Sequence, residues 1–299
     1  MIDFVATPAG LEPATIGLEG RKPIAEQSGL VRDRNGKRDP ISIVKSGFAV
    51  KRSAVPALPE PKVKPLAVDL CCCAGGASMG LYRAGFRVIG VDLVRHKRYP
   101  FEFVQANALE YPLNHADFVW ASPDCQGYTE LRHAPGARGK PRLIPQFRAR
   151  MPKDVPWCIE NVEDAAWDMR NPVTLCGSMF DLGAQGCRTQ RHRLFECNFP
   201  VEQPKCRHDA RPVIGVYGGH ARKRAKSAGG RGTRDVWRGG HKAAAAEALG
   251  IDWMTLNELS EAIPPIYAEF IGRAAMAHIV SNRHHGGTES ATEIPTGKD

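Results

Sequence analysis

The sequence lacks any apolar run long enough to cross a membrane. A membrane-spanning helix needs about 20 consecutive apolar residues, and charged residues, which make up 24% of the chain, interrupt every hydrophobic stretch well before that length. The opening residues, Met1 to Phe4, also lack the basic and then apolar pattern of a secretory signal. We therefore expect no membrane segment and a cytoplasmic protein.

The cysteines do not form an even set that could pair completely. There are nine of them, and three are consecutive at Cys71 to Cys73. Because neighbouring residues on a strand cannot all form good disulfides, we expect reduced thiols. Cys197, Cys206 and His208 lie close in sequence, but their C-x8-C-x-H spacing is not typical of a zinc site. The sequence therefore predicts no metal, and a loop with a buried thiol in this region.

The chain also lacks an acidic excess, since its formal net charge is +9. This charge favours a polyanionic partner, although it says nothing about the fold. Residues 220–242 carry eight Lys or Arg residues against one acid, with five interspersed glycines. A solvated flexible loop is an equally good interpretation of this segment when it is taken alone.

Residues 1–62 contain seven prolines and no sustained hydrophobic period, which predicts a disordered extension. From Leu66 onward the pattern is that of an α/β protein. Five short apolar segments are typical of strands: Leu66–Leu70, Arg87–Val91, Phe101–Gln105, Asp117–Ala121 and Trp157–Glu160. Their alternation with helical or loop segments predicts a doubly wound, mostly parallel sheet. A helix capped by Ser78 and ended by Gly85 should follow the first strand.

Ligands of such a sheet bind at the carboxyl ends of its strands. Four polar residues fall at such ends: Asp69, Asp92, Cys125 and Glu160. The small residues of the turn 69–76 let a backbone approach a nucleoside cofactor, and Asp92 can accept hydrogen bonds from ribose hydroxyls. The turn lacks the regular dinucleotide glycine spacing. A redox or metal role for residues 71–73 is disfavoured because consecutive strand residues face opposite sides.

Cys125 and Glu160 together suit chemistry on a pyrimidine ring. Addition of the thiolate at C6 makes C5 nucleophilic, provided that an acid such as Glu160 protonates N3. Asn161 can hold Glu160 by hydrogen bonds, Arg193 can bind the ring carbonyl, and Arg191 can contact a phosphate. Taken singly, Glu160 and Asn161 also fit a strand-end cap, and the two arginines fit surface charge.

Five motifs carry a resemblance to a known family. They are Asp69-Leu70 to Gly80-Leu81, Pro123-Asp124-Cys125-Gln126, Glu160-Asn161-Val162, Thr189-Gln190-Arg191-His192-Arg193 and Ala262-Ile263-Pro264-Pro265. With these five motifs in this order, the chain from Leu66 to about Val280 resembles the DNA cytosine-5 methyltransferases, and most closely their compact phage and prophage form. The resemblance implies catalytic roles for Cys125, Glu160, Asn161, Arg191 and Arg193.

The resemblance further implies S-adenosyl-L-methionine as methyl donor, S-adenosyl-L-homocysteine as product, and a cytosine flipped out of double-stranded DNA. It implies a monomer, with a possible restriction endonuclease partner. The cofactor-binding residues would be Asp69, Leu70, Cys71, Cys73, Ala74, Gly75, Gly76, Asp92, Leu93, Asn107, Ala108, Pro123, Glu261 and Ala262. The DNA-binding residues would be Gln126, Arg191, Arg222, Lys223, Arg224, Lys226, Arg231 and Arg234.

The same resemblance divides the chain into regions. We expect a catalytic domain over residues 63–200, a small basic target-recognition region over 201–250, C-terminal helices over 251–281 and a flexible tail over 282–299. The short recognition region predicts a short DNA site and reliance on phosphate contacts.

Five positions depart from the family pattern. The family usually has Phe at 71, Gly at 73, Asp at 107, Pro at 124 and Gln at 189, where this chain has Cys71, Cys73, Asn107, Asp124 and Thr189. The Asp124 carboxylate should raise the pKa of the neighbouring Cys125 thiol by like-charge repulsion. A weak or inactive DNA-binding relic, and a methyltransferase acting on cytosine in RNA, are therefore the alternatives.

Overall fold

The computed structural model describes residues 63–129, 139–224 and 236–285. The predicted disordered extension and residues 286–299 of the predicted tail lie outside the described residues. Residues 282–285, predicted as the start of that tail, instead form the end of a helix. Within the described ranges, no helix has the length and apolar character needed to cross a membrane.

The described residues form eleven strands and five α-helices. The strands are β1 Leu66–Leu70, β2 Arg87–Asp92, β3 Glu102–Gln105, β4 Phe118–Ala121, β5 Trp157–Asn161, β6 Val173–Leu175, β7 Gly183–Ala184, β8 Cys187–Arg188, β9 Arg193–Cys197, β10 Val213–Tyr217 and β11 His220–Arg224. The helices are α1 Gly76–Arg83, α2 Ile144–Arg150, α3 Gly240–Leu249, α4 Leu256–Glu261 and α5 Pro265–His285.

Seven strands form the central sheet in the order β3-β2-β1-β4-β5-β9-β6. Strands β1 to β5 run parallel to one another, whereas β9 pairs antiparallel with both β5 and β6. Side chains alternate between the faces, so that Phe118 and Trp120 pack into the cluster that includes α1 and α5 residues. Val119 and Ala121 pack on the opposite face with α2 residues. The predicted mostly parallel sheet, covered on both faces, is confirmed.

Helix α1 begins at the Gly-rich turn that follows β1. Gly75 is its N-cap residue, with a φ of 86°, a left-handed conformation that glycine adopts without steric cost. The prediction that Ser78 caps this helix was wrong, because the turn closes three residues earlier. Ser78 lies inside the helix, and its hydroxyl donates to the carboxylate of Asp69. The predicted end at Gly85 is confirmed by its φ of 106°.

Helices α1 and α5 approach closely at Gly80. A Cβ atom at this position would lie 2.1 Å from the Pro265 carbonyl oxygen and 2.6 Å from the Glu269 amide nitrogen. Because both are backbone atoms, Gly80→Ala should force the helices apart and lower the free energy of unfolding by about 1–3 kcal/mol or more. Urea unfolding of this variant measures the loss. Arg83→Ala, on the exposed side of α1, is the control and should change stability by less than about 0.5 kcal/mol.

A second, four-stranded sheet has the order β11-β10-β8-β7. One of its faces packs on α3 through a cluster that includes Ile214, Val216, Trp237 and Ala244. The same cluster also contains Ala74 and Ala262, so the predicted recognition region shares this core with the Gly-rich loop and the C-terminal segment. The predicted start of the recognition region at residue 201 does not match the start of this second sheet. Its strands β7 and β8 come earlier in the chain than β9, which belongs to the central sheet.

Candidate active site

Cys125 lies on the loop after β4, at the carboxyl edge of the central sheet. Its carbonyl oxygen accepts hydrogen bonds from the amides of Tyr128 at 2.9 Å and Thr129 at 3.1 Å, which closes a tight turn. The Cys125 side chain is partly exposed. The loop therefore presents a thiol to the surface at the edge where ligands of such sheets bind.

Glu160 and Arg193 form an ion pair beside this loop. Glu160 is in β5 and Arg193 begins the antiparallel neighbour β9, so the sheet itself places them together. The Arg193 Nε atom lies 3.3 Å from Glu160 Oε1, and the two side chains are only 19% and 7% exposed. Burial raises the pKa of Glu160, while Arg193, a hydrogen bond from Ser122 and the charge of Arg191 oppose that rise.

Ser122 is a site residue that the sequence analysis missed. Trp120 Nε1 donates to Ser122 Oγ at 2.8 Å, and the Ser122 hydroxyl in turn donates to the Glu160 carboxylate. This chain of hydrogen bonds orients the carboxyl group without filling its remaining lone pairs. A serine between a strand and a Pro-Asp turn has no distinctive spacing, and only the pairing of β4 with β5 brings it to Glu160.

The thiol of Cys125 interacts electrostatically with the same ion pair. Burial is the largest cause that raises the Cys125 pKa, followed by Glu160 and, more weakly, by Asp124, whereas Arg193 lowers it. The predicted effect of Asp124 is thus confirmed in direction, although it is not the main cause. Cys125, Glu160 and Arg193 act on one another as a single site.

The effect of Asp124 is testable without a substrate. Its carboxylate accepts a hydrogen bond from the Gln126 amide at 2.8 Å and is 37% exposed, so solvent screens part of its charge. Asp124→Asn should lower the Cys125 pKa and move the midpoint of thiol alkylation to lower pH, because it removes one of the charges that raise that pKa. The rate of iodoacetamide labelling of the Cys125 peptide against pH measures this. Asp124→Glu keeps the charge and should leave the midpoint nearly unchanged.

Two predicted catalytic residues have other partners than expected. Asn161 was predicted to hold Glu160, but its Nδ2 donates to the Pro123 carbonyl at 3.0 Å and its Oδ1 accepts from the Val162 amide at 3.0 Å. These bonds follow from its place at the end of β5, where the side chain points toward the loop after β4. Asn161 therefore positions the nucleophile loop, and Ser122 takes the predicted role beside Glu160.

Arg191 was predicted to contact a DNA phosphate, and its guanidinium has partners within the protein. Its terminal nitrogens donate to the Val216 carbonyl at 2.7 Å and the Ser260 carbonyl at 2.9 Å. Its Nε is buried and has no hydrogen-bond partner among the described residues. With a φ of 35°, the residue turns its guanidinium inward. Arg191 therefore ties β10 and the end of α4 to the loop that carries Arg193.

Asp69 is the central polar group of the predicted cofactor loop. It is fully buried, and burial is the main reason that its pKa is raised to about 7. Ser78 donates to one carboxylate oxygen, while Oδ1 has no hydrogen-bond partner within the described part of the chain. Asp92 lies beside the loop and accepts from the amides of Cys73 and Val94, each at 3.0 Å.

The loop backbone is strained at two departures from the family pattern. Cys71 and Cys73 have φ values of 59° and 46°, which non-glycine residues rarely adopt. A positive φ at position 73 explains in physical terms why glycine suits that position.

The motif Ala262-Ile263-Pro264-Pro265 contacts the Gly-rich loop at Gly76. A Cβ atom at Gly76 would lie 2.4 Å from the Ile263 carbonyl oxygen, so Glu261 and Ala262 come directly before a contact with the loop. The side chains of Leu70, Ala74 and Ala108 are buried, whereas Leu93 is exposed. Asn107 Oδ1 accepts from the Leu109 amide at 3.0 Å, and its predicted role as a cofactor acceptor stays a prediction.

The predicted DNA-binding residues are only partly described. Gln126 is exposed beside Cys125. Arg222 and Lys223 lie on β11, where the Arg222 guanidinium stacks 5.2 Å from the centre of the Tyr217 ring. The backbone of Arg224 continues this strand. Three further predicted residues lie outside the described residues: Lys226, Arg231 and Arg234.

No protein-family model and no curated protein matches the chain. Among solved structures, it is similar to one described as a DNA modification methyltransferase encoded within an E. coli prophage, with 14% identity, 73% of this chain and 99% of that chain covered, and a TM-score of 0.45. An Entamoeba histolytica methyltransferase has 10% identity, 72% and 99% coverage, and a TM-score of 0.47. A Spodoptera frugiperda DNMT2 mutant has 13% identity, 47% and 53% coverage, and a TM-score of 0.32. These values establish no family.

Proposed function

We propose that the chain transfers a methyl group from S-adenosyl-L-methionine to C5 of a cytosine flipped out of double-stranded DNA. The observation that carries this proposal is the buried Glu160–Arg193 pair acting on the partly exposed thiol of Cys125. A nucleophile, an acid and a cation in one site match the three demands of addition to a pyrimidine ring.

Each of these residues has a defined part in the proposed reaction. Cys125 Sγ adds to C6 of the cytosine, and Glu160 donates a proton to N3 as negative charge develops there. Burial raises the pKa of Glu160, which favours its protonated form. Arg193 orients Glu160 and offers donors to the ring carbonyl O2. Once C5 carries the methyl group, loss of the C5 proton to a water or hydroxide expels the Cys125 thiolate, and return of the N3 proton to Glu160 restores the neutral ring.

The residues at the Gly-rich loop fit the proposed cofactor. The unpaired Asp69 Oδ1 is a buried acceptor that suits a ligand carrying a donor, such as an ammonium group. Asp92 lies at the end of β2 and can accept from ribose hydroxyls. Bound S-adenosyl-L-methionine would supply the electrophilic methyl group. The metal-free mechanism, the monomeric state and a restriction endonuclease partner stay predictions.

Neutralising the basic segment should weaken DNA binding mainly through its salt dependence. Each phosphate contact that is lost reduces the slope of log K against log salt by about 0.9. Replacing Arg222, Lys223, Arg224 and Lys226 with glutamine should therefore reduce the slope by as much as about 3.6 units. Fluorescence anisotropy at several salt concentrations measures this. An unchanged slope would place the DNA-binding surface elsewhere, and Lys64→Gln together with Arg83→Gln serves as the control.

The proposed activity is tested with labelled S-adenosyl-L-methionine and two substrates in parallel. We expect label in duplex DNA, recovered as 5-methylcytosine after digestion to nucleosides, and little label in transfer RNA. Label in transfer RNA alone would move the proposal to RNA cytosine methylation. Label on adenine would contradict the assigned chemistry.

A DNA-binding protein without catalysis is the second candidate. The observation that favours it is the raised pKa of the Cys125 thiol, to which Asp124 contributes. A thiol that stays protonated at neutral pH adds slowly to a ring. DNA binding with no transferred label, even at alkaline pH, would support this candidate.

A further inference from the structure

Four metal-binding side chains meet at one point outside the candidate active site. They are Cys176, His192, Cys206 and His208, and their ligand atoms all lie within 4.8 Å of one another. Cys176 is buried, while Cys206 and His208 are exposed, so the cluster is open to an ion from solvent. Cys197, which lies near Cys206 and His208 in the sequence, does not belong to this cluster.

The distances inside the cluster match a tetrahedral zinc site. The Cys176 Sγ atom lies 3.3 Å from His208 Nε2, and Cys206 Sγ lies 3.6 Å from His192 Nε2. Zinc–sulfur bonds of about 2.3 Å and zinc–nitrogen bonds of about 2.0–2.1 Å give sulfur–nitrogen edges of about 3.6 Å in a tetrahedron. The rings of His192 and His208 meet edge to face at 5.3 Å, which directs two separate nitrogens inward.

A carboxylate lies behind one of the histidines. His192 Nδ1 lies 3.7 Å from Glu163 Oε2, while Nε2 of the same ring faces Cys206. Histidines that bind zinc commonly donate their other nitrogen to a carboxylate, which fixes the ring and its tautomer. The Glu163 carboxylate lies on that side of the His192 ring, at 3.7 Å and slightly beyond hydrogen-bond distance.

The ligands come from three separate parts of the chain. Cys176 follows β6, His192 precedes β9, and Cys206 and His208 lie in the segment between β9 and β10, which has no regular secondary structure from 198 to 209. A bound ion would hold this long connection against the central sheet. Because His192 lies between Arg191 and Arg193, the same ion would brace the loop that supplies Arg193.

We propose that Cys176, His192, Cys206 and His208 bind a structural zinc ion. Two thiolates and two imidazoles in tetrahedral arrangement favour Zn²⁺ over the hard cations, which prefer oxygen ligands. Four protein ligands complete the coordination, so the site has no open position for catalysis. The proposal does not depend on methyl transfer, and it replaces the expectation of no metal.

Metal analysis of the untagged full-length protein tests the proposal. Protein purified under reducing conditions and passed over a chelating resin should retain one zinc ion per chain by mass spectrometry. The double variant Cys206→Ser, His208→Asn changes only exposed ligands and should lose most of that zinc. Cys197→Ser removes a nearby thiol outside the cluster and should keep all of it.

Three outcomes would overturn the zinc assignment. One is a folded wild-type chain that holds no zinc and gives no tetrahedral thiolate spectrum with Co²⁺. Another is equal zinc content in the wild type and the double variant. The third is a disulfide between Cys176 and Cys206 in the freshly isolated protein. If the double variant fails to fold, Glu163→Gln supplies the test, with zinc affinity expected to fall about 10-fold and an unchanged affinity contradicting the site.

Discussion

Cys125→Ser should abolish methyl transfer to DNA. The hydroxyl of serine is a far weaker nucleophile than a thiolate, and Cys125 is the thiol that the loop after β4 places beside the Glu160–Arg193 pair. Removal of a covalent nucleophile typically costs more than about 10⁴-fold in turnover. Transfer of labelled methyl groups into duplex DNA measures the loss.

The variant should keep its fold and its affinity for DNA. Serine is close to cysteine in size, and the Cys125 carbonyl still accepts the two hydrogen bonds that close the turn. Cys197→Ser is the matched control and should retain full transfer. Residual transfer within tenfold of the wild type would remove Cys125 from the mechanism, whereas loss of DNA affinity would indicate a structural role for the thiol.

Glu160→Gln should slow methyl transfer by about 10²–10⁴-fold, the usual contribution of a general acid. Glutamine keeps the size of the side chain and can still accept from Ser122, but it cannot donate a proton to N3 as a carboxylic acid does. The single-turnover rate with saturating DNA isolates this step from binding. Glu102→Gln, on the exposed position of β3, is the control and should change nothing.

Ser122→Ala separates orientation from proton donation at the same carboxyl group. It removes the hydrogen bond to Glu160 and leaves Trp120 Nε1 without its acceptor. We expect a smaller loss of methyl transfer than in Glu160→Gln, because the acid itself remains.

A Glu160→Gln rate equal to that of the wild type would contradict the proposed protonation of N3.

The central sheet could be predicted because its strands carry their own signal. The runs at Leu66–Leu70 and Phe118–Ala121 are apolar on both sides apart from Asp69, as a sheet covered on two faces requires. Glu160 and Cys125 could be placed at one edge because parallel strands present their carboxyl ends together. The predicted start of α1 at Ser78 was wrong, because the helix begins three residues earlier, after the left-handed Gly75.

The partners of individual side chains could not be predicted from spacing. Arg191 and Arg193 are two residues apart, yet one donates to the Val216 and Ser260 carbonyls and the other pairs with Glu160. Arg191 also has a positive φ of 35°, which no local sequence pattern predicts. Sequence spacing could not predict the cluster of Cys176, His192, Cys206 and His208 for a similar reason. Cys176 and His192 join it only when separate segments of the chain fold together.

The most direct measurement is the capture of the cytosine adduct. Fluorine at C5 cannot leave as a proton does, so a nucleophile that has added to C6 stays attached after methyl transfer. Duplex DNA in which 5-fluorocytosine replaces every cytosine makes the unknown recognition sequence irrelevant. Incubated with this DNA and S-adenosyl-L-methionine, the protein should form a stable complex whose digestion yields one modified peptide, with the nucleotide on Cys125. A complex through another residue, or methylated DNA produced without any adduct, would contradict covalent catalysis by this thiol.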